Sequence, residues 1–171
     1  MTLVDMLIGC GAVKFGDFTL TSGKKSRYYI DIKQAITDPM VLSEIARQMT
    51  QGMQEDRVAG MELGAVPIAT AVSLESKKPQ LIIRKEKKGH GRDKLIEGKL
   101  EHGDRVLLVE DVATTGGSMV KAIKILREQG AVVERAIVVV DRQEGGAQNL
   151  EPLNVRLESL VKASELLEIN Q

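Results

Sequence analysis

The sequence predicts an α/β fold, a parallel sheet flanked by helices with a small N-terminal hood. Three observations carry that expectation. Short apolar runs at Arg57–Met61, Gln80–Ile83, Arg105–Val109 and Ala131–Val140 alternate with helix-spaced segments. Strands covered on both faces read as such continuous runs rather than as polar/apolar alternation. Each run ends in a polar, glycine-bearing turn, the place where open α/β sheets bind ligands. All four aromatic residues, two Phe and two Tyr, lie between positions 15 and 29, ahead of the alternation.

Composition bounds the classes available. A chain of 171 residues is expected to form one domain, 1–171, with the hood at about 1–35. Twenty-four basic residues balance 24 acidic ones, so no global field points to nucleic acid or an anionic membrane. The single Cys10 excludes a disulfide framework and a cysteine metal site, and suits a reducing compartment. No apolar run approaches the roughly 20 residues that cross a bilayer, and no signal-peptide pattern opens the chain. A soluble, cytoplasmic protein is the expectation.

Leu3, Leu7 and Ile8 space a short helix within Leu3–Val13. The turn-rich segment Phe15–Asp31 then holds Phe15, Phe18, Tyr28 and Tyr29. These rings either wall a site for a flat ligand or form a satellite core under an N-terminal hairpin. Thr37 or Asp38 with Pro39 opens a helix to about Gly52, its buried stripe being Val41, Leu42, Ile45, Ala46 and Met49. The strand Arg57–Met61 leads through the Gly64 turn into a helix ending near Ser76. That turn is either a ligand loop or a plain connection.

Gln80–Ile83 runs into the loop Arg84–Lys94, whose six bases and two acids give it a net charge of +4. With two glycines and no apolar residue it cannot pack, so mobility is expected in the free protein. His102, in the Glu-His-Gly-Asp turn, is expected to be structural. The run Ala131–Val140 ends at Asp141-Arg142-Gln143-Glu144-Gly145-Gly146, where an Arg can grip a carboxylate bidentately. An outer strand, Val155–Leu160, and a closing helix, Ala163–Leu167, complete the chain.

The chemistry concentrates after Val109. Glu110 and Asp111 are followed by the small-residue loop Ala113-Thr114-Thr115-Gly116-Gly117-Ser118, and then by a helix Met119–Gln129 that stops at Gly130. Glycines let backbone N–H groups approach an anion, and the helix dipole adds partial positive charge. There is no P-loop lysine and no G-x-G-x-x-G. The carboxylates would repel a bare phosphate, so they suit sugar hydroxyls or a hydrated Mg²⁺. A phosphate on the loop and hydroxyls on the acids describe a ribose 5-phosphate.

An apolar strand, two acids and a Thr/Gly loop resemble the signature of the type I phosphoribosyltransferase family. Phe18-Thr-Leu20-Thr-Ser22-Gly23-Lys-Lys-Ser26-Arg-Tyr28-Tyr29 and Asp141-Arg142-Gln143-Glu144 resemble its orotate branch. The likeness implies Mg²⁺-dependent transfer of the phosphoribosyl group from phosphoribosyl pyrophosphate to orotate, giving orotidine 5′-phosphate and pyrophosphate in de novo pyrimidine synthesis. It implies that Arg84, Lys85, Lys88 and His90 are catalytic residues of a loop closing over the leaving pyrophosphate. Phosphoribosyl pyrophosphate would lie on Glu110, Asp111, Val112, Ala113, Thr114, Thr115, Gly116, Gly117 and Ser118. Orotate would meet Thr114, Arg142, Tyr28 and Tyr29. Mg²⁺ would be held mainly through substrate and water, and no protein residue is assigned as its ligand. A homodimer sharing the 84–94 loop across subunits is implied as well, without nucleic-acid or membrane partners. Two positions depart from many relatives: Thr21 and Gly64 stand where those carry Lys. The alternatives are a phosphoribosyltransferase for another base, or a phosphoribosyl-pyrophosphate-sensing regulator.

Overall fold

The computed structural model describes residues 1–19, 23–86 and 94–169. Six strands form the main sheet: β3 (Arg57–Met61), β4 (Gln80–Ile83), β5 (Ile96–Glu97), β6 (Arg105–Ala113), β7 (Val132–Asp141) and β8 (Arg156–Lys162). Their spatial order is β5-β4-β3-β6-β7-β8, parallel throughout except for β5, which runs antiparallel to β4. A separate antiparallel hairpin, β1 (Val13–Thr19) with β2 (Lys25–Ile30), forms the hood.

Apolar side chains on both faces of β6 explain why the sheet is covered twice. Leu107 and Val109 point to one side, into a core with Ile45, Met49, Ile68, Val72 and Leu166. Val106 and Leu108 point to the other, into a core with Met119, Ile123, Leu126 and Leu150. Successive strand residues alternate faces, so one apolar run feeds two cores. The first is roofed by α1 (Leu3–Gly9), α3 (Pro39–Met49), α4 (Ala65–Ser76) and α7 (Ala163–Glu168), and the second by α5 (Gly117–Glu128) and α6 (Gly146–Leu150). The short α2 (Ile32–Ala35) ties the hood to the first core through Ile32 and Ala35.

Helix caps divide by the element that each helix follows. Thr2 caps α1, Asp31 caps α2, and Asp38 caps α3 by accepting from Met40 N at 2.8 Å and Val41 N at 3.4 Å. By contrast α4, α5 and α6 begin at Gly64, Gly116 and Gly145 without a side-chain cap. These three helices follow β3, β6 and β7, so their uncapped N–H groups lie at the carboxyl ends of parallel strands.

Three elements have no counterpart in the sequence expectation: α2, the two-residue β5, and α6 with the 3-10 turn Glu151–Leu153 behind it. The first helix stops at Gly9, which frees Val13 to open β1. The third ends at Met49, with the Thr50 N–H donating to Ala46 O, and Leu42 on its stripe is only partly buried. β6 does not end at Val109. It continues through Glu110 and Asp111 to Ala113, because β7 keeps pairing with it as far as Ala113 opposite Asp141.

Gly60 sets how closely α4 approaches β3. A Cβ at this position would lie 2.5 Å from the Ala65 carbonyl oxygen and 3.0 Å from the Ala69 Cβ. Overfilling such a contact typically costs about 1–3 kcal/mol. Gly60→Ala should therefore lower the urea midpoint at an unchanged slope, and an unchanged midpoint would show that α4 is not held by this contact.

Candidate active site

The acids occupy a place where one neighbour of β6 has ended and the other has not. β3 pairs with β6 only as far as Gly60 opposite Val109, whereas β7 accompanies β6 beyond both acids. The strand thus holds Glu110 and Asp111 rigidly while its β3 edge is open to the Glu62–Gly64 turn. Strand alternation sends the two side chains to opposite faces. Glu110 takes the α5 face, where Oε2 accepts from Ser118 Oγ at 3.2 Å and Oε1 from Asp111 N at 3.0 Å. Asp111 takes the α2 face, where Oδ2 accepts from Lys33 Nζ at 2.8 Å and Oδ1 from Val112 N at 2.8 Å.

Both acids are buried, and their surroundings drive them apart. Burial first, and then the Asp111 charge, push the Glu110 carboxyl up to about 8. Burial pushes Asp111 up as well, but hydrogen bonds from Lys33 and Glu110 and the Lys33 charge bring it below its ordinary value. The pair near neutral pH is one protonated acid and one carboxylate, a donor beside an acceptor. Such a pair matches adjacent hydroxyl groups, which both give and take hydrogen bonds.

The cradle follows directly. Ala113 closes β6, Thr114 and Thr115 form the exposed turn, and Gly117 and Ser118 already belong to the first turn of α5. Gly116 adopts φ +83°, left-handed backbone that glycine takes without strain. The turn is braced from behind by α6: Asn149 Nδ2 donates to Thr115 O at 2.7 Å, and Gly146 backs Thr114 O. The uncapped α5 N-terminus and exposed Thr hydroxyls together suit a phosphate.

On β7's end, the Arg142 N–H donates to Ala113 O at 2.9 Å, joining this turn to the cradle. The Arg142 guanidinium lies 5.0 Å from the Tyr28 ring centroid, and Nε donates to Glu144 at 2.9 Å. Of the residues expected to meet a flat ring, Tyr28 is buried beneath Arg142. Tyr29 points to the opposite face of β2, partly exposed and 5.9 Å from the Phe18 ring. Phe15 packs against the first core. The aromatics therefore divide between a core role and a site role instead of converging.

Arg84 is held by its neighbours on β5. Its Nη1 donates to Glu97 at 2.8 Å and its N–H to Leu95 O at 2.8 Å. Lys85 borders the acid cavity together with Glu62 and Gly64. Its N–H donates to the Glu62 carboxylate at 2.7 Å, and its carbonyl accepts from Lys121 Nζ at 2.7 Å. Lys88 and His90 lie outside the described residues. Lys33 escaped the sequence reading, since it stands in no recognisable motif and is 78 positions from its partner; Glu62 opens the expected Gly64 turn but carries no role of its own in that expectation.

The Glu110 environment gives a pH prediction. Its folded value is raised from 4.5 to about 8, so its stabilising share is complete below 4.5 and is lost as pH rises through about 8. Asp111 is lowered from 3.8 and Lys33 raised from 10.5, so both titrate outside that window. Glu110→Gln keeps one acceptor oxygen for the Asp111 N–H and turns an amide N–H donor toward the Ser118 hydroxyl, which can accept from it. The melting temperature of the variant relative to the parent should rise between about pH 5 and about pH 9 by the same linkage. An identical difference at both pH values would contradict a raised Glu110.

Comparison with known proteins gives a consistent result. Residues 33–158 match the phosphoribosyl transferase domain family. An orotate phosphoribosyltransferase of Pyrococcus abyssi is 57% identical over 171 residues, covering 97% of this chain and 94% of that protein. The crystal structure of orotate phosphoribosyltransferase from Aeropyrum pernix superposes with a TM-score of 0.89 at 37% identity, covering 99% of this chain and 98% of that one. UMP synthase of Leishmania donovani gives a TM-score of 0.84 at 36% identity, and this chain spans 98% of its own length but 37% of that longer protein. With an acid pair and a Gly/Thr cradle at the end of its central strand, the chain belongs to the phosphoribosyltransferase family, among relatives named orotate phosphoribosyltransferases.

Proposed function

We propose that this protein transfers the 5-phosphoribosyl group from phosphoribosyl pyrophosphate to orotate, releasing orotidine 5′-phosphate and pyrophosphate, as a step of pyrimidine biosynthesis. One observation supports it above the others. Two adjacent buried acids precede an uncapped Gly/Thr turn, and an arginine over a tyrosine ring stands at the adjoining strand end. Phosphate, hydroxyls and an aromatic carboxylate each have a complementary surface.

In the reaction the ribose C1–oxygen bond to pyrophosphate breaks and a bond from the pyrimidine nitrogen to C1 forms. Charge grows on the leaving group and the sugar carbon becomes oxocarbenium-like. Glu110 and Asp111 orient the hydroxyls, the α5 N-terminus holds the 5-phosphate, and the basic loop from Arg84 to Lys94 balances the departing charge. Lys85, Lys88 and His90 are its candidate donors, with Arg84 anchoring the loop on β5. Closing that loop would exclude water from a reactive centre. Mg²⁺ would be held mainly through pyrophosphate and water oxygens, since no group of three acids or histidines among the described residues is placed to hold it. Bound Mg²⁺ would offset pyrophosphate charge.

A homodimer sharing this loop is part of the proposal, as is a cytoplasmic location. Association fits the exposed large apolar side chains Met40, Leu63 and Leu74 on and beside α3 and α4. No described helix is long and apolar enough to cross a membrane.

The test is product formation from phosphoribosyl pyrophosphate and Mg²⁺ with orotate, adenine or hypoxanthine in turn. Orotate alone should be converted. Arg142→Lys should raise KM for orotate about tenfold and leave KM for phosphoribosyl pyrophosphate nearly unchanged, the size of one lost charge-assisted hydrogen bond. Conversion of a purine would overturn the base assignment, and binding without turnover would indicate a regulator.

A further inference from the structure

Lys33 lies on α2, a helix too short to matter as a helix and yet firmly fixed. Asp31 caps it by accepting from Gln34 N at 3.1 Å, and the Asp31 N–H donates to Ala12 O at 2.8 Å. The flanking Ile32 and Ala35 are buried in the first core. The intervening lysine is therefore presented to the sheet from a rigid base, and its Nζ meets Asp111 Oδ2 at 2.8 Å.

This ion pair is asymmetric. The Lys33 side chain is 63% exposed, whereas that of Asp111 is 10% exposed. A half-solvated lysine adds little to folding stability, so holding the fold does not account for its placement. Its effect falls on Asp111. With Oδ1 engaged by the Val112 N–H and Oδ2 by Lys33, the carboxylate has one orientation. Both residues border the cavity that also contains Glu62, Gly64, Lys85 and Glu110.

Gly64 supplies the room. A Cβ at this position would overlap Asp111 Oδ2 and lie 3.2 Å from Lys33 Cε. The Gly64 backbone, at φ −62° and ψ −34°, is one that alanine adopts freely. Any harm from alanine there would come from the lost space and not from backbone strain.

We propose that Lys33 is a positioning residue of the sugar site, fixing the Asp111 carboxylate toward the ribose hydroxyls, and that Gly64 is the clearance this pair requires. The proposal rests on the phosphoribosyl-transfer reading. It differs from a general structural role in one respect: its effect is confined to the substrate that carries the sugar.

Steady-state kinetics with both substrates, and thermal melting, would be measured for the parent, Lys33→Met, Lys33→Arg and Gly64→Ala. Lys33→Met should raise KM for phosphoribosyl pyrophosphate about tenfold, with KM for orotate and the melting temperature nearly unchanged, whereas Gly64→Ala should raise the same KM and also lower the melting temperature through its overlap with Asp111. Lys33→Arg should recover most of the loss, since a guanidinium can also hold the carboxylate. Parental kinetics in Lys33→Met, an equal rise for both substrates, or no recovery with arginine would overturn the assignment. Failure of the parent itself to turn over would instead refute the phosphoribosyl-transfer reading.

Discussion

Everything at this site depends on burying two adjacent carboxyl groups in one strand without letting both ionise. Two full charges at neighbouring positions of a covered sheet would be costly, because desolvation and mutual repulsion act together. The fold resolves this by separating their surroundings. Glu110 is left with a hydroxyl and a backbone N–H, too little to hold a charge, while Asp111 receives a lysine ammonium. The result is a pair that carries about one negative charge, which suits the sugar hydroxyls and the neighbouring phosphate of the proposed substrate.

Several features far apart in sequence serve that arrangement. β3 stops early and leaves the β6 edge open, and β7 stays paired with the strand past both acids. Gly60 draws α4 close, Gly64 leaves space for Asp111 and Lys33, and Gly116 turns the chain so that α5 begins without a cap. Side-chain caps appear on α1, α2 and α3 and are missing from α4, α5 and α6, which each follow a parallel strand directly. A cap there would satisfy the groups that bind an anion.

Much of this could be read from the sequence, and the exceptions share a cause. β3 and β4 fall at the expected residues because their apolar runs are bounded by polar turns on both sides. The extent of β6 could not be read locally, since whether Glu110 and Asp111 are in a strand is decided by the reach of β7. β5 and α6, at two and five residues, are too short to show any period. Glu110, Asp111, the cradle and Arg142 were legible as motifs. Lys33 was not, because its meaning lies in a contact across 78 positions. The opposite facing of Tyr28 and Tyr29 follows from the period of β2, a strand that the turn-rich composition of the segment hid.

The central claim is that Asp111 recognises sugar hydroxyls rather than phosphate. Calorimetric titration of Asp111→Asn separates the two, with phosphoribosyl pyrophosphate and inorganic pyrophosphate as ligands. Affinity for the sugar-bearing ligand should fall by about tenfold to a hundredfold, the range for one charge-assisted hydrogen bond, while pyrophosphate binds no more weakly than to the parent. Equal weakening of both ligands, or unchanged affinity for phosphoribosyl pyrophosphate, would contradict the account.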